Sequence, residues 1–167
     1  ARVRAGGVGR VAEHQPDVFI KFWRGLSAYE AELSRNTRRP DCSGIVYIGA
    51  PGVGKTWRVY EEAVYRGGGL YTPVVTESKI WFDGYRGEKS ILLDDFTGQG
   101  VAVALLLRLI DRYPLQVEVK GGVVWAQWDR VYITSNLDIP HWWTYWEGVP
   151  AAHRPALERR LSRVEYM

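Results

Sequence analysis

The chain has 167 residues, 46% of them hydrophobic and 25% charged, with a net charge of +3 and a single cysteine, Cys42. This is the composition of one medium globular domain, or of one domain with a small appendage. It excludes an intrachain disulfide, and no apolar run reaches the ~20 residues that a bilayer-spanning helix needs, so no membrane partner is expected.

Residues 1–42 hold eight Lys/Arg against five Asp/Glu, whereas residues 43–167 hold fourteen of each, so the positive excess lies wholly in the first segment. Ala1 to Val11 is rich in Arg and Gly and reads as a loosely ordered linker. From Pro16 the pattern changes. Val18, Phe19, Phe22, Trp23, Leu26, Tyr29 and Leu33 recur at helical steps, with Asp17 near the start to favour the helix dipole and Gly25 as a candidate break. Asn36 to Ser43 is polar and contains Pro40, which reads as a linker. The expected division is a helical module over residues 1–42 and a main domain over residues 43–167. One or two helices cannot bury their own apolar face, so the module should pack on the main domain or on a neighbouring subunit. With Met167 as the only methionine, the chain is expected to be an internal piece of a longer protein.

Ile45–Ile48 reads as a short buried strand. G-x-x-x-x-G-K-T follows over Gly49–Thr56, and then a helix begins at Trp57 and is closed by Gly67-Gly68-Gly69. Strand, glycine loop and helix start are the setting of a phosphate-binding loop. Glycines let backbone N–H groups turn inward around phosphate oxygens, and the helix N-terminus adds its positive dipole end. Gly49, Ala50, Pro51, Gly52, Val53, Gly54, Lys55, Thr56 and Trp57 are therefore candidate nucleotide-binding residues. Lys55 would reach the β/γ-phosphates, and the Thr56 hydroxyl would ligate Mg²⁺.

Leu70–Val75 reads as a second strand and Ile80–Gly87 as an aromatic turn. Ser90–Phe96 is a buried strand ending in Asp94 and Asp95. A strand closed by two acids has the shape of a Walker B element. Asp94 would help hold Mg²⁺, and Asp95 would orient or deprotonate the attacking water; the plainer alternative is an Asp pair capping a turn. Val101–Tyr113 reads as a helix with Val103, Leu106, Leu107 and Ile110 on one face, ended by Pro114. Val117–Trp125 reads as a tight β-hairpin with Gly121-Gly122 at the turn and Lys120 beside it. By itself Lys120 could equally be a charge guarding a strand edge. Val131–Asn136 is another buried strand with a polar end, where Asn136 could bond a γ-phosphate or simply a turn. Ile139–Val149 gathers His141, Trp142, Trp143, Tyr145 and Trp146, as an interface or as a core plug. The three histidines have no metal-ligand spacing, and a zinc site is not expected. Pro155–Leu161 reads as a short helix that carries Arg159 and Arg160, and Arg163–Met167 as a final strand.

The motifs G-A-P-G-V-G-K-T, W-F-D-G-Y-R-G-E, I-L-L-D-D-F, L-R-L-I-D-R-Y-P-L-Q-V-E-V-K-G-G, I-T-S-N and A-L-E-R-R-L occur in that order. As an ordered set they resemble the superfamily 3 helicase domain of replication-initiator (Rep) proteins from circular single-stranded DNA viruses, circoviruses above all. The likeness covers about residues 16–167, and F-W-R-G-L in the first module fits it too. The resemblance implies an α/β fold: an AAA+-type P-loop domain with a parallel central sheet, flanking helices and a β-hairpin, preceded by a small helical oligomerisation module. It implies an ATPase and DNA helicase working in viral rolling-circle replication in the host nucleus, as a homo-oligomeric, hexameric ring on single-stranded DNA, with ATP/ADP and Mg²⁺ as cofactors. In that family Lys55 and Thr56 would bind ATP–Mg²⁺, Asp94 and Asp95 would be Walker B, and Asn136 the sensor. Lys120, Gly121 and Gly122 would hold DNA in the pore. Arg160, or Arg159, would act on the neighbour's ATP, with Arg160 favoured. No histidine-hydrophobe-histidine motif is present, so nicking is not expected of this chain. The alternative function is a nucleotide-gated assembly module that holds DNA without unwinding it. A small-molecule P-loop kinase suits the sequence less, because a long hairpin stands where such enzymes need an arginine-bearing lid.

Overall fold

A computed structural model describes residues 7–120 and 122–167. The chain falls into two compact units, residues 1–37 and 38–167.

The first unit contains helices α1 (Gly7–His14) and α2 (Pro16–Leu33), which pack on each other. Residues 7–11 are thus helical, not a loose linker: Val11 is buried, and its carbonyl accepts the Gln15 N–H at 2.8 Å. The rest of the expected linker, residues 1–6, lies outside the described residues. Helix α2 runs through Gly25 without a break, so the ~1 kcal/mol cost of an interior glycine is absorbed. Ile20, Phe22 and Trp23 are about half exposed or more.

The second unit starts a few residues before the expected boundary, and Arg39 shows why. Its side chain is 3% exposed. The guanidinium donates to the Leu109 and Arg108 carbonyls at 2.9 Å each and lies 5.3 Å from the centroid of the Trp128 ring. Its own N–H donates to Arg112 O at 2.8 Å. A buried cation needs such partners, and these anchor residues 38–42 to the second unit. Cys42 sits beside it, and burial pushes its thiol up to about 11 even though Arg39 draws it down. A thiol ordinarily titrates near 8.5. Iodoacetamide at neutral pH should therefore alkylate Cys42 about a hundredfold more slowly in the native protein than in urea, and equal rates would show that the thiol is accessible and ionised.

The sheet has strands β1 (Ser43–Ile48), β2 (Leu70–Tyr71), β5 (Ser90–Leu93), β8 (Arg130–Ser135) and β9 (Leu161–Tyr166) in the order β2-β5-β8-β1-β9. All four pairings are parallel. β1 and β8 run in strict register from Ser43↔Arg130 to Ile48↔Ser135. Alternation along the strands sorts the core onto two faces. Val46, Ile48, Ile91, Leu93, Val131 and Ile133 face one layer, which includes Leu106 and Leu109 of α4 (Val103–Leu109) and Leu157 of α6 (His153–Glu158). Ile45, Tyr47, Leu92 and Tyr132 meet Val59 and Ala63 of α3 (Lys55–Arg66). Glu62 of α3 pairs with Arg163 of β9 at 2.7 Å and also accepts the Tyr47 hydroxyl, which ties helix to sheet.

Two antiparallel ribbons stand apart from the sheet: β3 (Val74–Val75) with β4 (Ile80–Trp81), and β6 (Gln116–Val119) with β7 (Gly122–Trp125). The single strand expected over 70–75 is split at Pro73, which has no N–H for a ladder. The aromatic turn after it is core. Phe82 stacks on Trp128 with centroids 5.6 Å apart, and Tyr85 meets the same ring edge-on at 5.1 Å. Two residues of the tryptophan-rich stretch, Trp142 and Trp146, are also core, whereas Tyr145 is half exposed. The stretch forms α5 (Ile139–Trp142) and a 3₁₀ turn over Trp143–Tyr145. Trp142 is fully buried, its ring edge-on to Phe96 at 4.9 Å, and its indole donates to Ser135 Oγ at 3.1 Å. Trp146 donates to Val101 O at 2.9 Å. Gly98, at φ 96°, makes this possible, because a Cβ there would lie 2.7 Å from the Trp142 carbonyl.

Candidate nucleotide site

The site lies at the carboxyl ends of β1, β5 and β8, where ligands of open α/β sheets bind. β1 ends at Ile48, the loop crosses Gly52 (φ 82°) and Gly54 (φ 95°), and α3 opens at Lys55. Both glycines occupy the left-handed region that a Cβ would disfavour. Gly49 is tight for another reason: a Cβ would approach Met167 O to 2.6 Å. The loop therefore has little freedom, and its backbone is held for whatever it cradles.

Lys55 is only 5% exposed. Its ammonium donates to Gly49 O at 3.0 Å, Ala50 O at 2.9 Å and Asn136 Oδ1 at 2.8 Å. All three acceptors are neutral, and among the described residues Lys55 forms no ion pair. An anion delivered here would give it a direct counter-charge. Next to it the Thr56 hydroxyl donates to Asp94 Oδ1 at 2.8 Å. The Thr134 hydroxyl donates to the same oxygen at 2.6 Å and accepts the Asp95 N–H at 2.8 Å. β5 ends at Leu93, one residue short of the acids, so both aspartates sit in the turn. Asp95 takes φ 48°, a conformation that Asp tolerates better than most residues. Asp94 thereby points at Thr56, while Asp95 lines a polar hollow of about 220 Å³ with Asp94, Glu77, Thr97 and Gln99.

The structure thus brings Lys55, Thr56, Asp94, Asp95 and Asn136 together. Thr134 also belongs to the group, although it was not among the expected site residues; the polar triplet Thr134-Ser135-Asn136 at a strand end was the available signal. Pro51, Val53 and Trp57 are exposed, Trp57 at 64%, and Pro51 has no N–H to offer a phosphate.

Lys120 lies in the hairpin turn itself, since Val119 pairs with Gly122, one residue earlier than the expected Gly-Gly turn. Gly121 lies outside the described residues, and Gly122 opens β7. The Lys120 side chain is exposed, and its N–H donates to the Asp83 carboxylate. Lys79 pairs with Glu118 at 2.6 Å and lies 4.2 Å from the Trp81 ring centroid, so the two ribbons brace each other.

Arg159 and Arg160 lie just past α6, in the turn before β9, not on the helix. Arg160 turns inward to Asp111 at 2.6 Å, whereas Arg159 is exposed. Both are remote from Lys55, Asp94 and Asn136: Arg160 O accepts the Gly44 N–H at 2.9 Å, at the opposite end of β1. A groove of about 770 Å³ is lined by Arg58, Arg66, Arg130 and Arg163 and by none of the residues Gly49–Thr56.

A five-stranded parallel sheet carrying a glycine loop, a buried lysine and a strand-end Asp/Asn pair is a P-loop helicase fold. A family model described as RNA helicase matches residues 45–137. The chain is 36% identical over 168 aligned residues to the replication-associated protein of porcine circovirus 1, covering 98% of this chain and 50% of that one. It is 34% identical over 148 residues to that of goose circovirus, covering 86% and 47%, and 31% identical over 134 residues to that of human associated cyclovirus 1, covering 80% and 48%. The chain belongs to this helicase family, and over most of its length it is similar to the replication-associated proteins of circoviruses and a cyclovirus. It spans about half the length of these curated relatives.

Proposed function

We propose that this chain is an ATP-driven helicase motor of viral genome replication, moving on single-stranded DNA as a hexameric ring in the host nucleus. The observation that carries the reading is Lys55, a nearly buried cation held only by neutral oxygens and placed between Asn136 and the Thr56–Asp94–Thr134 group. The residues fit ATP–Mg²⁺. The loop offers backbone N–H groups, Lys55 offers a charge with no ion-pair partner among the described residues, and Thr56 with Asp94 offers the hard oxygens that Mg²⁺ prefers. When bound, ATP–Mg²⁺ would supply the phosphoryl group to be transferred and a metal to draw off its charge.

The chain's own groups then have distinct tasks. Lys55 exchanges the Gly49 and Ala50 carbonyls for phosphate oxygens. Asp94, already fixed by two hydroxyls, stays in place to hold the metal or its water. Asp95, turned away from Thr56, is the acid left to orient the attacking water, although an Asp stands where many AAA+ enzymes carry Glu. Asn136 is freed from Lys55 when the phosphates arrive, which suits a sensor. No nicking activity is proposed for this chain.

Lys120 on its braced hairpin supports the DNA assignment, since one exposed lysine per subunit would converge on the phosphate backbone in a ring. Lys120→Ala should keep basal ATPase but lose most stimulation by single-stranded DNA, and should flatten the salt dependence of DNA binding. Turnover and binding measured across a salt titration test this. Unchanged stimulation and slope would refute the DNA role of the hairpin. DNA binding without any stimulation in the unaltered protein would favour the holding module instead.

A further inference from the structure

We infer that the groove between α3 and strands β8, β1 and β9 is a second nucleic-acid site, in which Arg130 and the Tyr132 hydroxyl hold a backbone phosphate of a single strand and Tyr65 stacks a base. It adds a contact for the strand proposed above but requires neither the Lys120 hairpin nor a ring, so it can fail while those readings stand.

The floor of the groove is set by strand register. Ile45 and Tyr132 face α3, and the pairing places Tyr132 of β8 and Arg163 of β9 directly beside Ile45 of β1. Alternation puts Arg130, two residues before Tyr132, on the same face. Arg58, Glu62, Tyr65 and Arg66 of α3 form the facing wall, and the open volume is about 770 Å³.

The charges of the groove are unevenly satisfied. Glu62 is committed: its carboxylate takes Arg163 at 2.7 Å, Arg58 at 3.4 Å and the Tyr47 hydroxyl. Arg66 pairs with Asp129 at 2.6 Å. Arg130 forms no ion pair among the described residues and donates only to the neutral Ser43 hydroxyl. Glu61 also lines the groove, but it is exposed, so its charge is more strongly screened. Beside Arg130, Tyr132 is 2% exposed. It lines the groove, and its hydroxyl has no hydrogen-bond partner among the described residues. Burial and Glu62 push the phenol above its ordinary range, although Arg130, Arg66 and Arg163 draw it down, so it stays protonated and able to donate. A buried hydroxyl calls for a partner. One oxyanion that accepts from Tyr132 and from the Arg130 fork meets both needs.

The surroundings select a strand over a lone anion. Tyr65 is 96% exposed and belongs to the same lining. An aromatic face beside guanidinium groups is what single strands use, one stacking a base and the others neutralising the backbone. A single phosphate would leave Tyr65 and most of the volume unused. Nor is this the nucleotide site. Arg130 opens β8, and Asn136 follows its far end, so six residues of strand, about 20 Å, lie between them.

Fluorescence anisotropy of a labelled oligothymidylate, taken across a salt titration beside a melting curve, tests this on the 167-residue chain. Arg130→Gln should weaken binding about five- to tenfold and lower the salt slope by about one, as for the loss of one phosphate contact. Tyr132→Phe keeps the ring in the core and removes only the hydroxyl. It should weaken binding about threefold with the salt slope unchanged, because no charge is lost. The double variant should lose less than the product of the two, since both groups serve one phosphate. Tyr65→Ala should cost about tenfold at an unchanged Tm. Unaltered affinity and slope in Arg130→Gln at an unaltered Tm would overturn the inference, even where Lys120→Ala weakens binding. Should Arg130→Gln fail to fold, Tyr132→Phe and Tyr65→Ala decide: undiminished binding by both overturns it, and the stated losses support it. Oligoglutamate binding that Arg130→Gln abolishes, with oligothymidylate binding intact, would give the groove to an acidic partner and overturn the strand assignment.

Discussion

Lys55→Ala is expected to cut ATP hydrolysis by two to three orders of magnitude, the cost of removing a preorganised charge from a developing phosphate transition state, and to leave the fold standing. Lys55 is 5% exposed, and its ammonium faces two backbone carbonyls and an amide oxygen and forms no ion pair among the described residues. Losing it should cost the empty protein little, since Gly49 is held independently by its N–H to Ser135 O at 3.1 Å and by the packing of Met167. Turnover and a melting curve, measured together, check both halves. Near-normal turnover in a protein that melts normally would remove Lys55 from the chemistry. A collapsed melting curve would mean that the lysine is structural.

The largest stability effect should come from Trp142→Ala. The ring is fully buried, packs edge-on against Phe96, and hydrogen-bonds Ser135. Truncating a buried tryptophan costs about 3–5 kcal/mol, a large share of the ~5–15 kcal/mol that holds a domain together. For a chain of this size that is a fall in Tm of roughly 10–15 °C. The damage should also reach the site, because Ser135 immediately precedes Asn136 and caps the strand that carries Thr134. Denaturant melts and ATPase assays on the same preparation test this. A loss below about 1 kcal/mol would mean that the tryptophan stretch is a surface feature after all.

The two residues differ in how far local pattern could reveal them. Lys55 was legible because a phosphate loop is a local device: its strand, its glycines, its lysine and its helix start are consecutive in the chain, and so are the physical requirements they meet. The same holds for the strand ends at Asp94 and Asn136, for the apolar face of α4, and for the β6–β7 ribbon, where only the turn moved by one residue. Trp142 was not legible as core. A run of His, Trp and Tyr satisfies an interface as well as an interior, and the choice depends above all on Phe96 and Gly98, more than forty residues earlier in the chain.

Local periodicity and spacing were enough to indicate most of the strands and helices of the second unit and the candidate residues at their ends, since hydrophobic runs, glycine conformations and polar strand ends act over a few bonds; the parallel sheet was expected from the family resemblance. Long-range packing decided the rest. It placed β1 between β8 and β9, brought Thr134 onto Asp94, buried Arg39 under α4 and Trp128, and separated Arg159 from Arg160 by giving one of them Asp111, 49 residues earlier in the chain. Two adjacent arginines are chemically identical in a sequence. Only a carboxylate delivered by another element can draw one inward and leave the other exposed.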